Sequence, residues 1–320
     1  MEQIKAIKIP ISQALPGMVV AKDIYTRDNH LVIAKNTTLT DKIIARLEFY
    51  SIEELTVVSI ANPKYIIDKE QASYYNRIRK SEGFKRFHMA YQNTISNFKD
   101  SLVSIASDKT ELDTKRLLSD TSNILLLCNT SFELFDMLHC IRNYDDTTFV
   151  HSLNVALISN IIGRWLGFSK YDLEMITLAG LLHDIGKILI PPEIITKPDK
   201  LTREEYNTVK QHTVRGYQIL SNKNIDQRIK ATALLHHERC DGSGYPFGLQ
   251  TDQIEPFARL VAIADVYDAM TCARVYRGPM CPFEVLSIFE SEGLNKYDPE
   301  YILTFMEGIA QTYIHNTVRL

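Results

Sequence analysis

The stretch Leu181-Leu182-His183-Asp184-Ile185-Gly186-Lys187 places a histidine and an aspartate side by side at the end of an apolar run. Adjacent residues of a helix point about 100° apart. His183 can therefore bind one metal ion while Asp184 turns toward the space between two ions. An isolated His-Asp pair is weak evidence, but the apolar residues 176–182 before it and Gly186-Lys187 after it favour a metal site over a buried structural pair.

A second run of ligand types follows in His236-His237-Glu238-Arg239-Cys240-Asp241-Gly242-Ser243-Gly244-Tyr245-Pro246. Its glycines permit unusual backbone angles, so we expect a rigid loop that forms a substrate wall against a metal centre. His151, His212 and Asp265 extend the set, since neutral imidazole is the commonest metal ligand and carboxylates bridge cations. Glu238 is a candidate for a supporting role beside the two histidines.

The whole chain of 320 residues is long enough for two domains. Its net charge of −3 gives no basic field for nucleic acid or membrane. The five cysteines lack Cys-x-x-Cys spacing and predict reduced thiols. No signal-peptide pattern and no run of ~20 apolar residues are present, so we expect a cytoplasmic protein.

Three segments differ in composition. Residues 1–62 predict a small β-rich accessory module with a structural or sensory role, from short β-branched runs, turns at Pro16-Gly17 and Asp28-Asn29, and a helix over Asp41–Tyr50 after a Thr40 N-cap. The runs are 18–20, 31–33 and 55–58. Residues 63–142 predict a helical linker and a possible homodimer contact, with His88 and His139 as ordinary helix histidines.

Residues 143–320 predict helix after helix. Apolar positions recur at helical spacing over 151–166, and a second helix over 171–182 ends at His183-Asp184. Thr202 and Glu205 form a capping box that opens a helix carrying His212. Pro256 suits the first turn of a helix whose residues Asp265 and Asp268 share one face. The chain is therefore mainly α, with an all-α catalytic domain whose ligands project from separate helices.

Taken together, these motifs resemble the HD-GYP family, a branch of the HD phosphohydrolases whose members are typically cyclic di-GMP phosphodiesterases. The motifs are His183-Asp184 with Lys187, His212, the run from His236 to Pro246, and Asp265 through Arg277. The resemblance covers about residues 143–312, and Gly244-Tyr245-Pro246 is its most specific part. The first sixty residues resemble, less firmly, a module often attached to such domains. An HD-type catalytic domain is thus expected over 143–320.

The resemblance implies roles for individual residues. One ion would be held by His151, His183, Asp184 and Asp265, and the other by Asp184, His212, His236 and His237, with Asp184 bridging. Lys187 would face a phosphate, and Asp184 and Lys187 would be the catalytic residues. The substrate would be contacted by Tyr245, Arg274 and Arg277, and Asp268 would either support a ligand or lie near the substrate.

One position departs from the family pattern. Members with three metals carry a glutamate four residues before the first histidine, where this chain has Thr147, and Asp145 and Asp146 are out of register. We therefore predict two ions, without a third. Nitrogen and carboxylate ligands without thiolate suit iron or manganese, and the resemblance implies the same pair, with iron the first choice.

The expected reaction is hydrolysis of cyclic di-GMP to linear pGpG, and in a second round to GMP, by a hydroxide that bridges two ions about 3.5–4 Å apart. Two alternatives stay open. One is a hydrolase of another cyclic dinucleotide such as cyclic GMP-AMP. The other is a catalytically silent cyclic di-GMP sensor. The glycine-tyrosine-proline loop argues against a (p)ppGpp hydrolase, because simpler HD hydrolases lack it.

Overall fold

A computed structural model of the chain describes residues 6–26, 31–40, 43–44, 46–47, 50, 52–58, 74–106, 112–141, 148–197, 199–271, 280, 282–291 and 294–314. The chain divides into two compact units, a smaller one that ends at Arg86 and a larger one, Phe87–Thr317. Strands lie in the smaller unit and the larger unit is helical. The predicted mainly α fold with a small β-rich N-terminal module is therefore confirmed.

The smaller unit contains two short antiparallel sheets. Strand β1 pairs with β4 and β2 pairs with β3, with bounds β1 Ala6–Pro10, β2 Ile24–Tyr25, β3 Leu31–Ile33 and β4 Glu54–Val58. The predicted strand over 18–20 is instead two isolated bridges, Val19 to Thr38 and Val20 to Val57. The sequence did not predict β1, which has a single buried residue, Ile9.

Thr40 caps a helical segment in this unit, as predicted. Its hydroxyl accepts a hydrogen bond from the Ile43 backbone N–H at 3.2 Å. Ile44 and Leu47 then point into a core with Val20, Leu39 and Val57. The predicted turn at Pro16-Gly17 is present, with Gly17 at φ 92°. The predicted turn at Asp28-Asn29 lies outside the described residues.

Thirteen helices with complete bounds follow within the described ranges. They are α1 Tyr74–Lys80, α2 Glu82–Ala106, α3 Thr114–Leu126, α4 Ser131–Ile141, α5 Thr148–Trp165, α6 Lys170–Leu182, α7 Pro192–Ile195, α8 Arg203–Lys210, α9 His212–Ser221, α10 Gln227–Leu235, α11 Pro256–Thr271, α12 Pro282–Ser291 and α13 Pro299–Ile314. Short 3-10 turns cover Ile185–Leu189, Thr251–Gln253 and Leu294–Lys296.

Helices α5 and α6 form the centre of the larger unit. Thirteen residues of α5 between Val150 and Gly163 are buried, so this helix is enclosed on all sides. Gly180 allows α6 to approach closely, because a Cβ there would lie 2.7 Å from the Ala156 Cα. Helix α11 packs on both α5 and α6, and α10 packs on α6 and α11. The histidine motifs lie at the ends of α6 and α10, so they belong to this packed part of the larger unit, and His183 and His236 are buried.

One predicted helix is wrong in its extent. The capping box of Thr202 and Glu205 is present, with both reciprocal hydrogen bonds, but the helix it opens ends at Lys210 and does not carry His212. The Gln211 N–H bonds to the Thr208 carbonyl, three residues back, which tightens the last turn. His212 then begins α9, and the Nδ1 atom of its ring is hydrogen-bonded to the Val209 carbonyl oxygen.

The other helix boundaries agree with the sequence. Ser169 caps α6, which ends immediately before His183-Asp184. Pro256 is the first residue of α11. Among the described residues, Cys128, Cys140 and Cys240 form no disulfide. Within the described parts of the chain, no single helix has both the length and the apolar character to cross a membrane, although the bent pair α3 and α4 together meets that test by length and composition.

Candidate metal centre

Five separate segments of the larger unit bring histidines and aspartates together. His151 lies in α5, His183-Asp184 follow α6, and His212 begins α9. His236-His237 follow α10, and α11 supplies two aspartates, Asp265 and Asp268. His88 and His139 lie on α2 and α4 and belong to neither group described below.

The ligand atoms form two groups. The first group is His151, His183 and Asp265, and the second group is Asp184, His212, His236 and His237. Within each group the atoms available to a metal lie within 4.8 Å of one another. These are the residues that the family resemblance assigned to two ions. Their nitrogen and carboxylate donors are compatible with divalent metals.

Asp184 joins the two groups, because each of its carboxylate oxygens faces a different one. Its Oδ2 lies 3.3 Å from His183 Nε2 and 3.7 Å from His151 Nε2. Its Oδ1 lies 3.3 Å from His212 Nε2 and 3.7 Å from His236 Nε2. The side chain is almost fully buried. Such a carboxylate can bridge two cations.

Backbone carbonyls fix the orientation of three histidine rings. The Nδ1 atoms of His183, His212 and His236 lie 2.7, 2.6 and 3.1 Å from the carbonyl oxygens of Gly180, Val209 and Thr232. A carbonyl only accepts, so each Nδ1 carries the proton and donates it. The Nε2 lone pair of each ring is thereby directed into the site, which is the arrangement typical of metal-bound histidine.

His151 is fixed by carboxylates instead. Its Nδ1 lies 2.8 Å from Asp268 Oδ2, and its Nε2 lies 3.0 Å from Asp265 Oδ1. Asp268 is fully buried and also accepts a hydrogen bond from the Asn154 amide at 3.0 Å. Tyr91 donates its hydroxyl to Asn154 Oδ1. The resemblance left two roles open for Asp268, support of a ligand or a place near the substrate. Its hydrogen bond with His151 fits the first of these.

Asn154 and Tyr91 were not singled out from the sequence. Asn154 follows His151 by three residues, so both lie on the same face of α5. That spacing is a usable signal. Tyr91 is 63 residues from Asn154 in the chain, and the local sequence around either residue does not predict their contact.

The electrostatics of the second group favour neutral histidines and an ionised aspartate. Burial lowers the pKa of His212 to about 3, and burial also lowers the pKa values of His236 and His237. Burial alone would raise the pKa of Asp184, but the Lys187 ammonium and the His183 ring hold that pKa well below its usual range. The second group therefore offers unprotonated nitrogens at neutral pH.

The first group has the opposite character. Burial alone would lower the pKa of His151, but the hydrogen bonds with Asp265 and Asp268 raise that pKa to about 10. The two carboxylates thus favour positive charge at this position. A proton on His151 or a metal ion beside it can supply that charge.

Two buried atoms without hydrogen-bond partners and one short distance between histidine nitrogens show whether cations fit here. His183 Nε2 and Asp184 Oδ1 are buried and have no hydrogen-bond partner among the described residues. His212 Nε2 and His236 Nε2 lie 3.3 Å apart, and both rings carry their proton on Nδ1, so two lone pairs face each other. Unpaired buried acceptors and opposed lone pairs are unfavourable unless a cation lies between them. The residues fit a metal centre.

Lys187 is the nearest amine to the centre. It lies in the 3-10 turn Ile185–Leu189, and its Nζ is 2.5 Å from Asp184 Oδ2. Gly186, which precedes it, allows this turn to touch α9, because a Cβ there would be 1.9 Å from the His212 carbonyl oxygen. Gly186 is therefore a structural requirement of the site.

The segment 241–250, called the glycine loop below, forms a wall against the second group. The Tyr245 ring stacks on the His237 ring, with centroids 4.7 Å apart. The buried Glu238 carboxylate holds the loop, since its Oε1 accepts from the Phe247 N–H at 2.7 Å and its Oε2 from the Leu249 N–H at 2.9 Å. Gly244 passes directly over Glu238, where a Cβ would lie 2.4 Å from the Glu238 Cα.

Several positions named from the sequence for the site lie outside the described residues, Asp145 and Asp146 among them, and two groups of the others matter most. They are Arg274 and Arg277, expected to contact the substrate, and Thr147, where the family pattern has a glutamate. Their expected roles stay predictions.

A model of the HD domain family matches residues 122–301, which is more than half of the chain. The chain belongs to the HD domain family. The relationship predicted from the motifs is confirmed by this match and by curated relatives. The matched range contains His183 and Asp184, the pair on which the family resemblance was first based.

Two curated relatives carry informative names. A cyclic di-GMP phosphodiesterase of Thermotoga maritima is 41% identical over 179 residues, covering 55% of this chain and 49% of the relative. The 3′3′-cGAMP-specific phosphodiesterase 1 of Vibrio cholerae is 41% identical over 145 residues, covering 45% of this chain and 34% of the relative. The match thus spans half or less of each relative's own length.

A solved structure extends the likeness to nearly the whole chain. It is Bd1817, described as an HDG"Y"P protein from Bdellovibrio bacteriovorus, with a TM-score of 0.58. The alignment covers 96% of this chain and 100% of that one, at 16% identity. At this level of identity the likeness concerns the fold alone.

Proposed function

We propose that this HD domain protein is a metal-dependent phosphodiesterase that hydrolyses cyclic di-GMP to linear pGpG. The observation that carries the proposal is the buried Asp184 carboxylate, which turns one oxygen toward each of two groups of metal-ligand atoms. A shared carboxylate can hold two divalent ions close enough to act on one phosphodiester. The names of relatives at 41% identity support cyclic dinucleotides as the substrate class.

In the proposed reaction, water adds to one phosphorus atom of the ring. The bond from that phosphorus to the ribose 3′ oxygen then breaks, and the ring opens to linear pGpG. A pair of divalent ions, when bound, supplies Lewis-acid stabilisation and lowers the pKa of water from 15.7 toward about 7. Lys187, beside Asp184, offsets negative charge on the phosphate oxygens. Tyr245 lines the substrate side of His237.

We propose that the first ion is held by His151, His183, Asp184 and Asp265, and the second by Asp184, His212, His236 and His237. Iron is the proposed metal and manganese the alternative, because imidazole and carboxylate donors without thiolate suit both. Of the ligand nitrogens, those of His183, His212 and His236 are already oriented by backbone carbonyls. We further propose a catalytic segment over residues 143–320 and a regulatory role for residues 1–62. We also propose a homodimer contact through residues 63–142.

A second candidate substrate is cyclic GMP-AMP. The Vibrio cholerae relative named for it is as similar to this chain as the cyclic di-GMP relative, at 41% identity in each case. Both substrates carry the same phosphodiester ring, so the metal groups serve either one. The side chains that face the bases decide between them.

The test is anaerobic purification of the full chain, elemental analysis, and product chromatography after incubation with cyclic di-GMP and with cyclic GMP-AMP. Anaerobic handling prevents oxidation of ferrous iron. We expect two ions per chain and pGpG as the first product. Asp184→Ala should lose metal and reduce turnover to background while the far-ultraviolet circular dichroism is unchanged. Binding of cyclic di-GMP without product in a metal-replete sample would instead identify a sensor.

A further inference from the structure

Lys210, at the end of α8, has its ammonium between two tyrosine rings. The Nζ atom lies 4.7 Å from the ring centroid of Tyr206 and 4.9 Å from that of Tyr245. Tyr206 is one turn earlier on the same helix, and Tyr245 belongs to the glycine loop. Among the described residues no carboxylate pairs with this ammonium. Ring faces, not a counter-ion, hold its position.

This cluster of Tyr206, Lys210 and Tyr245 stands beside the second metal group. Tyr245 also stacks on His237, with centroids 4.7 Å apart. Lys210 precedes His212 by two residues, and the carbonyl of Val209, the residue before Lys210, fixes the His212 ring. Tyr206 is 47% exposed, so the cluster opens to solvent. A positive charge is thus presented at the rim of the centre.

The other lysine of the site is differently engaged. Lys187 is 2.5 Å from the buried Asp184 carboxylate, whose charge it balances. Elsewhere in the larger unit, Lys197 is likewise paired, with both oxygens of Glu205 within 2.8 Å. Lys210 has no such carboxylate partner among the described residues, so its ammonium can bind an anion that arrives from solution.

We propose that Lys210, held by Tyr206 and Tyr245, binds the phosphodiester of a cyclic dinucleotide that is not being cleaved. This inference rests on the proposed function. A cyclic dinucleotide carries two monoanionic phosphodiesters in one ring, and the metal groups with Lys187 engage one of them. The second therefore extends toward the rim, where an ammonium recognises it as a point charge. The flanking rings reduce the side-chain entropy lost on binding.

The chemistry of this contact restricts its kinetic effect. The charge of the second phosphodiester is the same in the substrate and in the transition state. Lys210 therefore contributes uniform binding, which changes KM and leaves kcat unchanged. A lysine that acted in the chemical step would change kcat instead.

The experiment compares Lys210→Met with the wild-type chain, both loaded with metal, on two substrates. For cyclic di-GMP we expect KM to rise about tenfold at unchanged kcat, the effect of losing one charge-assisted hydrogen bond. For bis(4-nitrophenyl) phosphate, which has a single phosphodiester, we expect no change in KM. The control is Lys230→Met, whose ammonium donates to the Ser221 carbonyl, and it should match the wild type on both.

Two further variants separate binding from folding. Lys210→Arg keeps the charge and should restore KM to within about threefold of the wild type. Tyr206→Phe keeps the ring face and should behave as wild type, whereas Tyr206→Leu should raise KM for cyclic di-GMP. An unchanged KM in Lys210→Met, in a sample whose wild type is active, overturns the role of Lys210. Absence of turnover in the wild type on both substrates counts against the proposed function itself.

A guanine contact is the competing explanation, since an ammonium also recognises guanine O6 and N7. Cyclic di-AMP keeps both phosphodiesters but has an amino group, which is a donor, in place of the guanine O6 acceptor beside N7, so it disfavours an ammonium at the base edge and separates the two explanations. As a competitive inhibitor it should lose affinity in Lys210→Met by the same factor as cyclic di-GMP. A loss confined to cyclic di-GMP would overturn the phosphate assignment.

Discussion

The Tyr245 ring stacks on the His237 ring, with centroids 4.7 Å and planes 27° apart. This contact joins the glycine loop to the second metal group. The loop is held in turn by Glu238, which accepts hydrogen bonds from the backbone of Phe247 and Leu249. Tyr245 also donates its own backbone N–H to the His237 carbonyl at 3.2 Å. The position of the loop is therefore set by the residue that follows the two histidines.

Glu238→Gln should loosen this loop, because an amide group offers one acceptor oxygen where the carboxylate offered two. One backbone N–H is left without its partner, at a cost of about 1–3 kcal/mol in the free energy of unfolding. We expect KM for cyclic di-GMP to rise more than kcat falls, and the metal content to stay as in the wild type. Exposed Glu193→Gln is the control. Loss of metal in Glu238→Gln would contradict a role confined to the loop.

Asp268→Asn should weaken the first metal group selectively. His151 Nδ1 lies 2.8 Å from Asp268 Oδ2, and a neutral amide supports the imidazole less than a carboxylate does. We expect the affinity for one of two ions to fall by about 10–100-fold, measured by competition with a chromophoric chelator. The other proposed ion, which we assign to Asp184, His212, His236 and His237, should bind as in the wild type.

The control for that measurement is Asp172→Asn, which changes a carboxylate that pairs with Arg228 away from both groups. Its ion affinities should equal those of the wild type. If Asp268→Asn weakened both ions to the same degree, Asp268 would act through the general stability of the unit and not through His151.

Two pairs of the clustered residues could be recognised in the sequence because they occur in compact motifs, whereas His151, His212 and Asp265 stand alone and were named through the family resemblance. His183-Asp184 and His236-His237 each place two side chains of metal-ligand type at the end of a helix, so the local sequence is enough to recognise them. The fold class followed from the helical spacing of apolar residues in α5 and α6 in the same way.

The supporting contacts could not be predicted, because they depend on segments that meet only in the folded chain. The bond from Tyr91 to Asn154 joins α2 to α5 across 63 residues. The end of α8 at Lys210, two residues before His212, is set by hydrogen bonds that tighten its last turn and not by a helix-breaking residue type. Local helix propensity predicts neither the hydrogen bond between Tyr91 and Asn154 nor the end of α8.

Gly186→Ala should disrupt the second metal group. The added Cβ would lie 1.9 Å from the His212 carbonyl oxygen and 2.6 Å from the Gly216 nitrogen, both backbone atoms that cannot rotate away. Helix α9 must then shift, and His212 moves with it. We expect a lower melting temperature and loss of at least one ion per chain. The control is Gly163→Ala, whose nearest neighbours are the Leu173 and Phe168 side chains, and it should retain both ions.

The stability of the metal-free protein should depend on pH through its buried histidines. An unfolded histidine takes up a proton as the pH falls through about 6.5, whereas burial lowers the pKa of His212 to about 3. Between these values the unfolded chain binds more protons, so the free energy of unfolding decreases as the pH falls. His151 has the opposite sign, since its raised pKa of about 10 adds stability below about 6.5 that is lost as the pH rises toward 10.

Urea unfolding of the metal-free protein at about pH 6.5 and about pH 5 measures the first effect. Each buried neutral histidine contributes up to about 1.4 kcal/mol per pH unit in this range. His212→Asn removes one such group, so the difference between the two pH values should be smaller in the variant than in the wild type. An equal difference in both proteins would mean that His212 is protonated in the folded state, and neutral imidazole would then not be the form that the site presents to a metal.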